Sequence, residues 1–215
     1  MARRTKEDAL ATRHALLDAA ERSFQVHGVA RTSLAQIAEA AGLTRGAIYW
    51  HFKDKADLFN AMMQRVTLPL ETGLTRVAEA GDADGDIIAS LRAHLLSSLR
   101  QVTHDEQTRR VLEIAVLMVE MSGELADARA QHAQSLADGR RHLARTLQRA
   151  AEQRRISLPA PPEVLATGLK ALLRGLVDQW LLAPGMDLER VGQQCVDAFL
   201  VGIGLPPDLP PRDRG

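Results

Sequence analysis

The 215-residue chain is 46% hydrophobic but only 3% aromatic, and its 27 basic and 27 acidic residues cancel to a formal charge of zero. Zero charge excludes a polycation that coats nucleic acid unselectively, and the lone cysteine, Cys195, excludes an intramolecular disulfide. No apolar run reaches the ~20 residues of a membrane-crossing helix.

The start, Met1-Ala-Arg-Arg-Thr-Lys-Glu-Asp, has no apolar segment behind its charges, so it does not read as a secretory signal, and a cytoplasmic location is expected. With so few aromatics, a core must be built from Leu, Ala, Val, Ile and Met. These are mostly good helix formers, so an all-α fold is expected. Charge is unevenly spread. Residues 1–55 hold nine basic and six acidic side chains, a net of +3, which leaves −3 for the remainder. A mildly basic end suits a module that meets phosphates while the rest stays off nucleic acid.

The first helix is predicted from about Thr5 to His27, with Leu10, Leu17, Ala20 and Phe24 on one face. Gly28 stands where a left-handed C-terminal cap belongs. Ser33 and Gln36 form a Ser-x-x-Gln capping box, followed by Leu34, Ile37, Ala38 and Ala41 at helical spacing. Gly42 stops that helix, and Thr44 caps a third whose inward residues are Ile48 and Phe52. Asp54 caps a fourth, with Phe59, Met62, Met63 and Val66 inward and a kink or break expected at Pro69. Beyond Asp86, helices are predicted at roughly 86–101, 106–121, 124–154, 163–182 and 187–203. Val111 to Met121 is apolar nearly all round and reads as a central buried helix. Pro159, Pro161 and Pro162 make a stiff linker. The expected division is a DNA-binding domain at 1–53, a linker helix at 54–78, a ligand-binding and dimerisation domain at 79–204, and a disordered tail at 205–215.

Two short helices joined by a tight glycine turn meet the requirement of a helix-turn-helix, in which the second helix lies in the major groove of DNA. Its outward residues are Thr44, Arg45, Gly46, Ala47, Tyr49, Trp50 and His51. Arg45 can fork onto the two acceptors of a guanine, and the Ala47 methyl can meet a thymine methyl. Gly46 lets the backbone approach closely. Thr32, Ser33, Thr44, Tyr49, His51 and Lys55 have the polarity for phosphate contacts. On pattern alone the same segment also reads as a plain connector with its aromatics in a core. Near the end of the chain, Leu165, Leu169, Leu172, Leu176 and Trp180 form one apolar stripe. Val191, Cys195, Ala198, Phe199 and Gly202 form another. These stripes read either as core or as a two-fold interface.

The run Thr32-Ser-Leu-Ala-Gln-Ile-Ala-Glu-Ala-Ala-Gly-Leu-Thr-Arg-Gly-Ala-Ile-Tyr-Trp-His-Phe-Lys-Asp-Lys-Ala-Asp-Leu-Phe59 resembles the DNA-binding domain of TetR-type repressors. The opening residues, Gly46 to Lys55, and Leu176-Val-Asp-Gln-Trp-Leu-Leu-Ala-Pro184 resemble the AcrR-like subgroup, which represses multidrug efflux operons. The resemblance implies about nine helices, an N-terminal DNA head, an internal ligand cavity, a homodimer built on the last two helices, and release of a palindromic operator when ligand binds. No nucleophile–base pair or phosphate-cradling loop is apparent, so neither catalysis nor a cofactor is expected.

The expected dimer residues are Leu169, Leu172, Leu176, Trp180, Val191, Cys195 and Phe199. The expected pocket residues are Met62, Val66, Glu113, Leu117, Glu120, Met121 and Trp180. The carboxylates would draw cationic drugs and the methionines hydrophobic ones, although a capped or surface place is the alternative for each acid. Ligand wedged between core helices would shift the fourth helix, with Pro69 as its weak point.

Other motifs fail. Asp82, Asp84 and Asp86 lack the glycine and terminal Glu of a calcium loop, with Ile87 at the glycine position, and the histidines have no metal-ligand spacing. A TetR-type regulator of metabolic or signalling genes, and a DNA-binding dimer without an effector, stay open as alternatives.

Overall fold

The computed structural model describes residues 2–79, 85–117, 126–183 and 185–207. Among these residues there are nine helices and no strand, as an all-α reading requires. They are α1 Ala2–His27, α2 Leu34–Ala40, α3 Arg45–His51, α4 Lys55–Glu79, α5 Ile87–His104, α6 Glu106–Leu117, α7 Ala126–Arg154, α8 Pro162–Leu182 and α9 Leu188–Gly202. Among the described residues no helix is long and apolar enough to cross a membrane.

The chain forms two compact units. The first takes the described residues of 1–67 and 107–133, and the second those of 68–106 and 134–215. In the first unit Leu16, Leu17, Ala20 and Phe24 of α1 share one core with Ile37, Ile48, Phe52, Leu58, Met62 and Val66. Burying such side chains fully is worth about 1.5–3 kcal/mol each. Val111 and Ile114 of α6 complete this core, so α6 packs with helices that precede it by some fifty residues. Leu10, expected on the inner face of α1, is 48% exposed. The buried part of α1 begins only at Leu16, so the same face further upstream has little to pack against.

The second unit is centred on Leu91, Leu95, Leu143, Leu147, Leu169, Val196 and Leu200. Asp86 caps α5 by accepting from the Ile88 N–H at 2.9 Å, and its other oxygen binds the buried Arg154 guanidinium at 2.6 Å. Arg154 also donates to the Pro206 carbonyl. Leu205 is fully buried in this core. A tail that is free from residue 205 onward is therefore not what its first residues form, because the Leu205 side chain and the Pro206 carbonyl both have partners at the end of α7. Residues 208–215 lie outside the described residues.

No break occurs at Pro69, since α4 is one helix through Glu79. A proline forfeits one backbone bond inside a helix, and the bonds on either side here suffice to continue it. The first stretch of the first unit ends at Thr67, two residues before this proline.

Candidate nucleic-acid interface

Helix caps position the interface. α1 stops at Gly28, whose φ of 78° is the left-handed conformation a glycine adopts freely, and the Gly28 N–H donates to the Phe24 carbonyl at 2.8 Å. Ser33 then starts α2 with both halves of the capping box made. The Gln36 N–H donates to Ser33 Oγ at 3.3 Å and the Ser33 N–H to Gln36 Oε1 at 2.8 Å. Gly42, at φ 70°, turns the chain, and the Leu43 N–H returns to the Ala38 carbonyl at 2.9 Å. Thr44 caps α3 by accepting from the Ala47 N–H at 3.3 Å. Within α3, Ile48 is fully buried, and Phe52 follows it into the core. The Arg13 guanidinium lies 5.1 Å from the Phe52 ring centre, joining α1 to the end of α3.

With Ile48 inward, most of α3 faces outward, while Ala47 is half-buried. Thr44, Arg45, Gly46, Tyr49 and Trp50 are exposed, and Trp50 is 76% exposed. Trp50 and Tyr49 are thus neighbouring aromatic rings left out of the core. Arg45 lies 5.9 Å from the Tyr49 ring centre, and the Trp50 ring meets His51 edge-on at 4.8 Å. A side chain at Gly46 would meet only Thr44 Oγ1, at 3.9 Å, so intrachain packing does not demand glycine there. His51 is half-buried. Burial first, and repulsion from Arg13 second, hold its imidazole below the ordinary histidine pKa. An open groove of about 770 Å³ runs beside α3, lined by Arg31, Ser33, Ala35, Arg45, Tyr49 and Lys53 among others. Arg31 and Lys53 line this groove without having been among the contacts expected from sequence.

Two of the expected DNA contacts also hold the loop that follows α1. The Thr32 side chain is buried and donates to the Gly28 carbonyl at 2.8 Å, pinning the loop that follows α1. The Lys55 ammonium donates to the carbonyls of Val29, Ala30 and Thr32 at 3.1, 3.3 and 3.1 Å. A lysine ammonium has three protons, and three carbonyls of one loop take them.

The expected pocket residues fall in both units. Met62 and Val66 are buried core of the first unit, and Trp180 is half-buried in the second. Leu117 lines a shallow groove with Gln25, Val26 and Arg31. The Glu113 carboxylate accepts from Gln25 Nε2 of α1 at 3.5 Å. Glu120 and Met121 lie outside the described residues.

Of the expected dimer residues, Leu169 and Leu176 are buried within the chain itself. Leu172, Trp180, Val191, Cys195 and Phe199 are half-buried. The exposed apolar side chains are instead Val164 and Leu182 of α8 and Val201 of α9, at 58%, 66% and 57% exposure. Val164 and Leu182 stand five helical turns apart on one face. A side chain at Gly175 or Gly202 would meet nothing within 4 Å.

This fold and this exposed face define an all-helical protein of the helix-turn-helix DNA-binding class. The chain matches the bacterial regulatory proteins of the tetR family over residues 16–62, and the C-terminal region of MAATS-type transcriptional repressors over residues 86–203. It belongs to the TetR family of transcriptional regulators.

Among its relatives is ArpR of Pseudomonas putida, a probable HTH-type transcriptional regulator. The two are 39% identical over 212 residues, 97% of this chain and 99% of ArpR. Among solved structures, NalD is the secondary repressor of the MexAB-OprM multidrug efflux pump in Pseudomonas aeruginosa. It matches at a TM-score of 0.78 and 33% identity, over 94% of this chain and 100% of NalD. SmeT, repressor of the Stenotrophomonas maltophilia pump SmeDEF, matches in its triclosan complex at a TM-score of 0.79 and 35% identity, over 89% and 91% of the two chains.

Proposed function

We propose that this chain is a homodimeric repressor of a multidrug efflux operon, acting in the cytoplasm on a palindromic operator and released by hydrophobic or cationic drugs. The observation that carries the reading is the α3 face. Its Arg45, Gly46, Tyr49 and Trp50 are exposed on a helix whose opposite side is locked into the core by Ile48 and Phe52. Arg45 and Ala47 serve as base readers. Ser33, Thr44, Tyr49, Arg31 and Lys53 serve as phosphate contacts. The likeness to NalD and SmeT over most of both chains supports efflux control, and the triclosan complex of SmeT supports a hydrophobic effector. The activity is binding alone, with no catalytic step.

The two-fold partner meets the chain through α8 and α9. Val164, Leu182 and Val201 supply the apolar contacts, and Gly175 and Gly202 permit close approach of the second copy. Pairing sets two recognition helices about 34–36 Å apart, the spacing of successive major grooves. Fluorescence anisotropy on DNA from upstream of the protein's own gene tests the reading. Tight binding that triclosan or a lipophilic cation reverses is the expected result. Tight binding that neither compound disturbs retains the DNA-binding dimer, removes drug-responsive control and turns the search to metabolites.

A further inference from the structure

Among the described residues the only buried carboxylate is Glu21, 1% exposed in the middle of α1. Its oxygens accept from Arg65 of α4 at 3.0 Å and from Gln107 of α6 at 3.1 Å, with the Arg110 guanidinium of α6 at 3.8 Å. Arg65 binds Asp18 as well, at 2.7 Å. All five side chains belong to the first unit.

The position of these partners along the chain is informative. The chain passes between its two units at 67/68, 106/107 and 133/134. Arg65 stands two residues before the first crossing, and Gln107 opens the second. Glu21 therefore grips the chain at two of the three places where the second unit is covalently joined to the first. One turn further along α1, Gln25 reaches Glu113 of α6 at 3.5 Å, so α1 holds α6 twice. The same α1 supports the DNA face through Phe24 in the shared core and Arg13 on Phe52.

The junction is also poor as a mere staple. Burial outweighs the help from Gln107, Arg65 and Arg110 and raises the Glu21 pKa, so the ionised form costs stability that an amide or an apolar side chain would not. A group that is costly to the fold, with partners beside two of the three crossings, suits a part that moves between arrangements. Directional hydrogen bonds to a buried charge are either made or broken, whereas apolar contacts slide.

We infer that Glu21 is a positioning residue that couples the effector-responsive part of the chain to the operator-binding helices. Its bonds to Arg65 and Gln107 set where α4 and α6 leave the first unit while α3 fits the operator. Loosening them releases that fit. The inference rests on the repressor reading above and specifies the joint through which repression is lifted.

Coupling between sites is reciprocal, so operator binding must tighten the junction just as loosening the junction weakens operator binding. Amide hydrogen exchange on the full chain, with and without the upstream DNA, reads this without any effector. In the wild type, operator DNA is expected to slow exchange of the α6 amides roughly tenfold, within the usual range of coupling energies. In Gln107→Leu, which removes the α6 side of the bond while keeping its bulk, that slowing is lost although DNA still protects α3. Glu21→Gln keeps the shape without the charge, and at least half of the slowing is lost. A cooperative thermal melt checks that each variant folds.

Wild-type α6 amides indifferent to DNA, or either variant keeping the full slowing, overturns the inference. If DNA fails to protect α3 in the wild type, the repressor reading itself falls, and the coupling falls with it.

Discussion

Lys55 and Arg45 carry the same charge and border the same groove, yet their surroundings give them opposite duties. The Lys55 ammonium is spent on three carbonyls of the loop after α1, while the Arg45 guanidinium faces solvent beside Tyr49. Lys55→Met is expected to lower stability by about 1–3 kcal/mol, the usual consequence of leaving buried polar groups unpaired, and to leave the salt dependence of operator binding unchanged. Arg45→Ala is expected to leave the melting temperature in place while costing about 1–3 kcal/mol of operator discrimination. Denaturant titrations and salt-series anisotropy on the two variants separate these outcomes.

Glu21 makes a prediction about pH. Its folded pKa is raised above the ordinary glutamate value of 4.5, so between those two values the folded chain holds a proton that the unfolded chain has lost. The destabilisation is absent below both values and fully present above both. Glu21→Gln, which resembles the protonated acid, should therefore melt higher than the wild type at neutral pH. The gap should close as pH falls through the raised pKa. A constant gap across that window would place the effect elsewhere.

Among the elements, α2 and α3 were the most legible, because each of their ends is written in local chemistry. Ser33 with Gln36, Gly42 and Thr44 act over three to five residues, and all of them cap or turn as their spacing requires. α8 and α9 were legible as helices, with stripes that read as core or interface. Leu165 and Leu169 enter the second core, Leu172 is partly buried against it, and only packing reveals that Val164, Leu182 and Val201 are left exposed. Two substitutions distinguish the stripes. Leu169→Ala should destabilise the monomer fold by about 2–5 kcal/mol through an internal cavity. Val201→Lys should leave the fold intact and shift sedimentation toward the monomer.

At the scale of the whole molecule, what stayed hidden in the sequence were contacts between residues far apart in the chain. Glu21 lies 44 residues from Arg65 and 86 from Gln107, and no local pattern pairs them. The apolar run at Val111 announced a buried helix but could not say that Val111 and Ile114 would join the core of the N-terminal helices. The three carbonyl partners of Lys55 sit 23–26 residues upstream, where no local pattern pairs them with it. Helix periodicity and caps specify elements. Which core each element enters depends on volumes and partners that only the assembled chain brings together.

The chain's 2 tryptophans fall one to each unit. Trp50 stands 76% exposed on the DNA face, and Trp180 is half-buried on α8. The molecule therefore carries two built-in optical reporters. In a Trp180→Phe chain the remaining emission watches operator docking. In a Trp50→Phe chain it watches α8. Recorded side by side in a stopped-flow mixer, they would time which half of the molecule responds first.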